Sequence, residues 1–123
     1  MKKLLFVSCL AIPAQAFANS ACDQPRNDFD GLYCLNKVYQ AADAELNANY
    51  KKLLPKLDVS GISTLKKSQL AWIAERNQHC SKREADAFFV DLECTAHTTI
   101  KRSQFLQDRY RECVSSGCQN SKL

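Results

Sequence analysis

Seven cysteines in a chain of 123 residues constrain this fold more than any other feature of the sequence. Cys9 falls within an N-terminal segment typical of an export signal. The other six are Cys22, Cys34, Cys80, Cys94, Cys113 and Cys118. An even number of cysteines in a small exported chain normally forms a disulfide framework. The sequence therefore predicts a small domain that is cross-linked by disulfides in an oxidising compartment.

The segment from Met1 to Ala18 has the three parts of a secretory signal peptide. Two lysines form a positive head, Leu4 to Ile12 is apolar, and Ala16-Phe17-Ala18 is a small-x-small cleavage pattern. The apolar stretch is far shorter than the roughly 20 residues that a membrane-spanning helix needs. We therefore expect a signal peptide at 1–18 and one mature domain at 19–123, located in a bacterial periplasm or in secreted fluid.

The charge balance gives no indication of a nucleic acid or an anionic membrane as partner. The chain has 17 Lys and Arg against 13 Asp and Glu, a net charge of +4. Removal of the two signal lysines reduces the 17 basic residues to 15, so the net charge falls to +2. Such a small charge provides no long-range attraction toward a basic protein, so tight binding to one would depend on local contacts.

Apolar residues recur at helical spacing in three segments. The first is Asp28 to Leu54, which is ended by Pro55. The second runs from about Ser63 to Arg83 with a serine cap at Ser60 or Ser63, and the third from about Val90 to Cys113. No alternating pattern of strand length is evident. The predicted fold class is therefore all-α, a small bundle of three antiparallel helices cross-linked by disulfides.

Sequence alone does not determine how six cysteines pair. Local pairing is favoured here, because it would tie each irregular segment to a neighbouring helix. The favoured pairs are Cys22 with Cys34, Cys80 with Cys94, and Cys113 with Cys118. Each closure would contribute about 2 to 4 kcal/mol to stability.

Metal binding and catalysis are the alternative roles for some of these residues. Cys80 and Cys94 could form a four-ligand zinc set with His79 and His97. The spacing is irregular, however, and cysteines of exported proteins are more often oxidised than bound to metal. His97 as a catalytic base has no nucleophile at a recognisable spacing. We therefore predict no metal, no cofactor and no catalytic residue.

Polar residues interrupt the apolar faces of all three predicted helices. They are Asp43 and Asn47 on the first, Gln69 and Arg76 on the second, and Thr98 and Arg102 on the third. Buried polar groups must pair, so we expect an internal network in which Asp43 neutralises one or both arginines. One carboxylate lacks the second carboxylate of glycosidic acid/base chemistry, which favours a structural role. Trp72 has core spacing and is expected to pack inside.

Three patterns combine these residues into a longer signature. They are Tyr39-x-x-Ala42-Asp43-x-x-Leu46-Asn47-x-x-Tyr50, then Leu65-x-x-x-Gln69-x-x-Trp72-Ile73-x-x-Arg76-x-x-x-Cys80, then Cys94-x-x-x-Thr98-x-x-x-Arg102. Together they span nearly all of the chain after the signal and resemble the LprI-type lysozyme-inhibitor family. The resemblance implies a small exported helical domain of bacteria whose named member inhibits lysozyme. It also implies that the signature of the family comprises Asp43, Asn47, Gln69, Trp72, Arg76, Thr98 and Arg102. The chain departs from the family at 81–93, where a glycine-rich stretch is common and none is present.

Two non-catalytic functions follow. The first is binding and inhibition of a lysozyme-type cell-wall hydrolase. The alternative is a periplasmic immunity protein that neutralises a toxin from competing bacteria. The candidate binding surfaces are the turn from Lys56 to Ile62 and the loop from Arg83 to Asp91. Within that loop, Phe88 and Phe89 could form an exposed apolar anchor, although core packing at the helix junction is the expectation for both rings.

Overall fold

The computed structural model describes residues 22–123, so the predicted signal peptide and cleavage site lie outside the described residues. The fold is mainly helical and contains three long helices, as predicted. Between the second and third helices it also contains a two-stranded antiparallel hairpin, which the sequence analysis missed. The elements are α1 (Asp28–Leu53), a 3-10 helix (Leu54–Lys56), α2 (Val59–His79), β1 (Ser81–Glu84), β2 (Ala87–Val90), α3 (Leu92–Ser116) and a second 3-10 helix (Asn120–Lys122).

The main helix packing is between α1 and α3, which run in the same direction. Leu35 and Ala96 line one cavity near the start of these helices. Further along, Asn49 Nδ2 donates a hydrogen bond to Ser103 Oγ at 2.9 Å. Because α2 returns in the opposite direction, each helix is antiparallel to the one before it, as the predicted bundle requires.

A small cluster of leucines forms the core. Leu53, Leu65 and Leu106 are fully buried. The cluster consists of Leu46, Leu53, Leu57, Leu65 and Leu106. A core of this size gives a domain of about 100 residues limited stability, so the covalent cross-links contribute a substantial share.

The second helix begins earlier and ends earlier than predicted, at Val59–His79 instead of Ser63 to Arg83. Its cap is Asp58, whose Oδ1 accepts a hydrogen bond from Gly61 N at 2.7 Å. The predicted serine caps were wrong because Asp58, which precedes both serines, already satisfies a free amide of the first turn. Gly61 also permits close packing, since a Cβ there would lie 2.5 Å from Asn120 Oδ1.

Two carboxylates hold the C-terminal tail against the helices. Asp58 Oδ1 accepts a second hydrogen bond from Asn120 Nδ2 at 2.9 Å, and Glu112 Oε1 accepts one from Lys122 Nζ at 2.6 Å. The backbone amide of Gly61 and then Asn120 hold the pKa of Asp58 below its usual value. The hydrogen bond from Lys122 does the same for the pKa of Glu112.

Acidification is therefore expected to detach the tail. A lowered folded pKa means stability that is present above the unfolded pKa, near 4, and is lost as the pH falls through the lower folded value. We expect the melting temperature to fall below about pH 4, and the Asn120 side-chain amide signals to move in NMR spectra. Asp58→Asn keeps a capping oxygen but does not titrate, so it should lose less stability in acid. Identical pH profiles for the variant and the parent would contradict this assignment.

Three disulfides connect the irregular segments to the helices, in the local pairing favoured from the sequence. They are Cys22–Cys34, Cys80–Cys94 and Cys113–Cys118. Because Cys80 and Cys94 are bonded to each other, they do not supply the thiolates of the alternative zinc set. Within residues 22–123, no group of three or more His, Cys, Asp or Glu is placed to hold a metal ion. No helix in this part of the chain combines the length and the hydropathy needed to cross a membrane.

Candidate protein-binding surface

The hairpin of β1 and β2 is attached to the helices at its base. The disulfide Cys80–Cys94 and a hydrogen bond of 2.8 Å from Asp91 N to Cys80 O fix both of its ends. Ala85 in the turn has a φ of 49°, a left-handed conformation that glycine adopts more easily. The strand register pairs Ser81 with Val90, Lys82 with Phe89, Arg83 with Phe88, and Glu84 with Ala87.

Both phenylalanines of the hairpin are exposed, so the expectation of core packing was wrong. Phe88 is 58% exposed and Phe89 is 48% exposed. Their cross-strand partners are cations, with Arg83 5.3 Å from the Phe88 ring centre and Lys82 5.6 Å from the Phe89 ring centre. Residues 82–90 are all exposed, and each face of the hairpin therefore presents an aromatic ring beside a positive charge.

A cavity of about 250 Å³ separates one face of the hairpin from the helices. Its walls include Tyr39, Arg76, Phe88, Val90, Leu92 and Thr95. Because this space is open, the rings of the hairpin do not pack tightly against the bundle. The hairpin thus presents apolar surface that the fold itself does not use, which is typical of an interaction site.

The other candidate surface, the turn from Lys56 to Ile62, has fewer exposed apolar side chains than the hairpin. Leu57 is part of the core and Gly61 is buried, so the exposed apolar residue of this turn is Val59. This turn therefore works mainly as a structural junction between the 3-10 helix, α2 and the C-terminal tail.

The predicted polar network forms between α2 and α3, but with different partners. Arg102 donates from Nε to Gln69 Oε1 at 2.9 Å and from Nη2 to Ser68 Oγ at 2.9 Å. Burial lowers the pKa of the Arg102 guanidinium from its usual value. Arg76 Nη1 donates to Thr99 Oγ1 at 3.5 Å. Arg76 also donates from Nε and Nη2 to Asn77 Oδ1, on its own helix, at 3.2 and 3.0 Å. The acceptors of both arginines are therefore neutral.

Asp43 does not neutralise either arginine, which corrects the prediction. It accepts a hydrogen bond from Asn47 Nδ2 at 3.3 Å, within α1. Neither Arg76 nor Arg102 forms an ion pair with any residue of 22–123. Asn47 is exposed, and Asn49 two positions later makes the contact between α1 and α3. The inward direction of α1 was predicted correctly, since Ala42 and Leu46 are buried, but the polar residue Asp43 beside this face was assigned the wrong partners.

Thr98 lies beside the disulfide at the base of the hairpin. Its hydroxyl is 3.7 Å from Cys80 Sγ, and it is the donor because a disulfide sulfur carries no hydrogen. Thr99, one position later, is fully buried and donates to Thr95 O at 2.7 Å. The sequence reasoning missed Thr99, although its spacing from Thr95 and Ser103 marks a polar stripe on α3.

Cations and aromatic rings alternate along the helix interface. Arg76 lies over the rings of Tyr39 and Trp72, at 5.8 and 5.0 Å from the ring centres. Arg102 lies over Trp72 at 5.9 Å and over Phe105 at 4.6 Å. Each contact of this kind contributes about 0.5 to 1 kcal/mol. Trp72, which also packs against the leucine core, is therefore held between two arginines.

Replacing Arg102 by alanine should lower the free energy of unfolding by about 2 kcal/mol, because the nearly buried Gln69 oxygen would lose its donor. Arg102→Lys keeps the charge but not the forked hydrogen bonding, and should recover part of this loss. Chemical denaturation of both variants measures the difference. Equal stability of Arg102→Ala and the parent would show that the network has no structural role.

A second cavity, of about 650 Å³, lies where the N-terminal arm meets the start of α3. Asp23, Asp91, Glu93 and His97 are among the residues that line it. Asp91 is already engaged as the cap of α3, since its Oδ1 accepts a hydrogen bond from Cys94 N at 2.9 Å. His97 is exposed at this cavity.

The fold and the exposed hairpin define a structural class. It is a small, disulfide-linked helical domain that presents an exposed hairpin. Residues 20–106 match the family described as Lysozyme inhibitor LprI. Because this match covers more than half of the chain, the protein belongs to the LprI lysozyme inhibitor family.

The chain is also similar to a curated bacterial protein. An uncharacterized protein of Rhizobium meliloti (strain 1021) is 30% identical over 125 residues, which cover 85% of this chain and 90% of the relative. No solved structure matches the chain. The matched segment 20–106 contains α1, α2, the hairpin and the polar network, and it ends before the Cys113–Cys118 disulfide. The family and the three disulfides together indicate an extracytoplasmic protein.

Proposed function

We propose that this protein binds a lysozyme-type cell-wall hydrolase and inhibits it without catalysing a reaction. The observation that carries the proposal is the exposed aromatic hairpin inside the segment that matches a lysozyme-inhibitor family. Aromatic side chains that can be buried at the centre of an interface contribute most of the binding energy in protein complexes. The site of action is the periplasm or the secreted fluid, after removal of Met1 to Ala18.

The arrangement of charged residues also supports binding over catalysis. Asp43 is bonded to its helix neighbour, and Glu75 is exposed. Neither of them lines the two cavities described above. A glycosidase would need two carboxyl groups facing each other across a cleft. Asp23, Asp91 and Glu93 line the cavity of about 650 Å³, and among them the Asp91 carboxylate is already engaged as the cap of α3. No observation favours the alternative of an immunity protein over an inhibitor.

Direct binding tests the proposal. The protein, purified in oxidised form from the periplasm of an expression host, is titrated by calorimetry into animal lysozymes and a phage muramidase. Lysis of cell-wall suspensions is followed in parallel. We expect micromolar or tighter binding to at least one enzyme, together with a loss of lysis. The absence of binding to every enzyme would exclude lysozyme inhibition as the function and direct the search to toxins.

A further inference from the structure

The two cations of the hairpin differ in how they are paired. Lys82 Nζ lies 2.8 Å from Glu84 Oε1, so its charge is balanced within β1. The Arg83 side chain forms no hydrogen bond and no ion pair with any residue of 22–123, and it stacks on the ring of Phe88, its cross-strand neighbour. Stacking on a ring occupies the face of a guanidinium and leaves its edge, with the N–H donors, free. Arg83 therefore offers a forked donor group that the fold does not use.

The chemistry that matches this group is an ionised carboxylate. A guanidinium binds a carboxylate through two parallel hydrogen bonds, which are about twice as strong as neutral ones. Enzymes that hydrolyse glycosidic bonds carry two carboxyl groups beside the scissile bond. Their different environments keep one of the two ionised while the other holds a proton. The proposed partner thus contains, at its functional centre, the anion that Arg83 fits.

The shape of the hairpin is also compatible with such a cleft. Each strand has four residues, which corresponds to a projection of about 13 Å. The backbones of the two strands are about 5 Å apart, so the hairpin is a narrow projection that carries one cation and one ring on each face. The Cys80–Cys94 disulfide holds the base of the hairpin rigid. Less conformational entropy is therefore lost when a partner binds the hairpin.

We infer that the hairpin enters the substrate cleft of the hydrolase, where the Arg83 guanidinium binds the ionised catalytic carboxylate and Phe88 packs on the cleft wall. This inference rests on the proposed function and specifies its mechanism. The protein is then a competitive inhibitor, because the hairpin and the glycan occupy the same groove. Lys82, whose charge Glu84 balances, lies on the opposite face of the hairpin and contributes little.

Competition is the first test. The probe enzyme is the lysozyme of the panel that is inhibited most strongly, and tri-N-acetylchitotriose is the cleft-binding competitor. We expect the apparent Kd of the inhibitor to rise linearly with the concentration of free trisaccharide, without reaching a plateau. An unchanged Kd in saturating trisaccharide would overturn the inference. The proposed function would still stand in that case, because inhibition would have been measured independently.

Arg83 itself is tested by Arg83→Gln, with Lys82→Gln as the matched control from the same strand. We expect Arg83→Gln to weaken binding at least about tenfold and Lys82→Gln to change it by less than about threefold. Both residues are exposed, so the melting temperatures should be equal. Equal effects of the two substitutions on binding would count against a specific role of Arg83.

A double-mutant cycle identifies the partner of Arg83. In the enzyme, the ionised catalytic aspartate is replaced by asparagine, and binding of the parent and of Arg83→Gln is measured. We expect the effect of Arg83→Gln to shrink to less than about threefold in this enzyme, because the carboxylate that it contacts is absent. An undiminished effect would show that Arg83 contacts another group, and would refute the placement of the hairpin at the catalytic centre.

Discussion

Replacing both Phe88 and Phe89 by alanine should weaken inhibition at least about 100-fold, because aromatic anchors at the centre of an interface each contribute about 2 kcal/mol or more. The two rings are the largest apolar groups that the hairpin exposes. The variant should fold normally, since neither ring belongs to the leucine core. Titration of lysozyme activity with the variant measures the effect, and thermal unfolding confirms the fold.

The matched control for this experiment is Val59→Ala. Val59 is 86% exposed at the start of α2 and lies at the end of the bundle opposite the hairpin. The Val59→Ala substitution removes exposed apolar surface, as the phenylalanine substitutions do, but at a position outside the proposed interface. We expect the Val59→Ala variant to inhibit lysozyme as strongly as the parent does. If Val59→Ala weakens inhibition and the double phenylalanine variant does not, the binding surface lies at the other end of the molecule.

Removing the Cys80–Cys94 disulfide by a double alanine substitution should lower the free energy of unfolding by about 3 kcal/mol, the value for a closed loop of this length. Inhibition should fall as well, because the bond holds the two ends of the hairpin together. Denaturation in urea measures the stability, and the lysis assay measures inhibition at a temperature where the variant is still folded.

Removal of the Cys113–Cys118 disulfide is the control for removal of Cys80–Cys94. The Cys113–Cys118 disulfide closes a shorter loop at the other end of α3, and its removal should cost somewhat less stability. Because it is remote from the hairpin, we expect full inhibition once the variant is folded. Equal loss of inhibition in the two disulfide variants would mean that global stability, and not the tether of the hairpin, controls function.

The three helices were predictable to within a few residues because the signals that form them are local. The first predicted helix, Asp28 to Leu54, differs from α1 by one residue. The third differs from α3 by two or three residues at each end, since Asp91 caps it and Gly117 follows it. The start of α2 was wrong because Asp58, read as part of a turn, instead begins the helix.

The polar network was predictable in composition but not in connectivity. Gln69 and Arg102 do bond to each other, and Trp72 does pack inside. Asp43 was placed with the arginines because its spacing put it on the same apolar face. A helical pattern does not report the rotation of one helix against another with the accuracy that a hydrogen bond requires. The partners of each polar group therefore became evident only in the folded chain.

The sequence by itself determined the helical class, the three-helix order and the family, because periodicity, caps and motif spacing are properties of neighbouring residues. Only the tertiary structure decided that Ser81 to Val90 form a hairpin with Phe88 and Phe89 exposed. Strands of four residues that bury neither face show no alternation of apolar and polar residues. Their conformation depends on the cross-strand pairing and on the disulfide at their base, which join residues that are distant in the sequence.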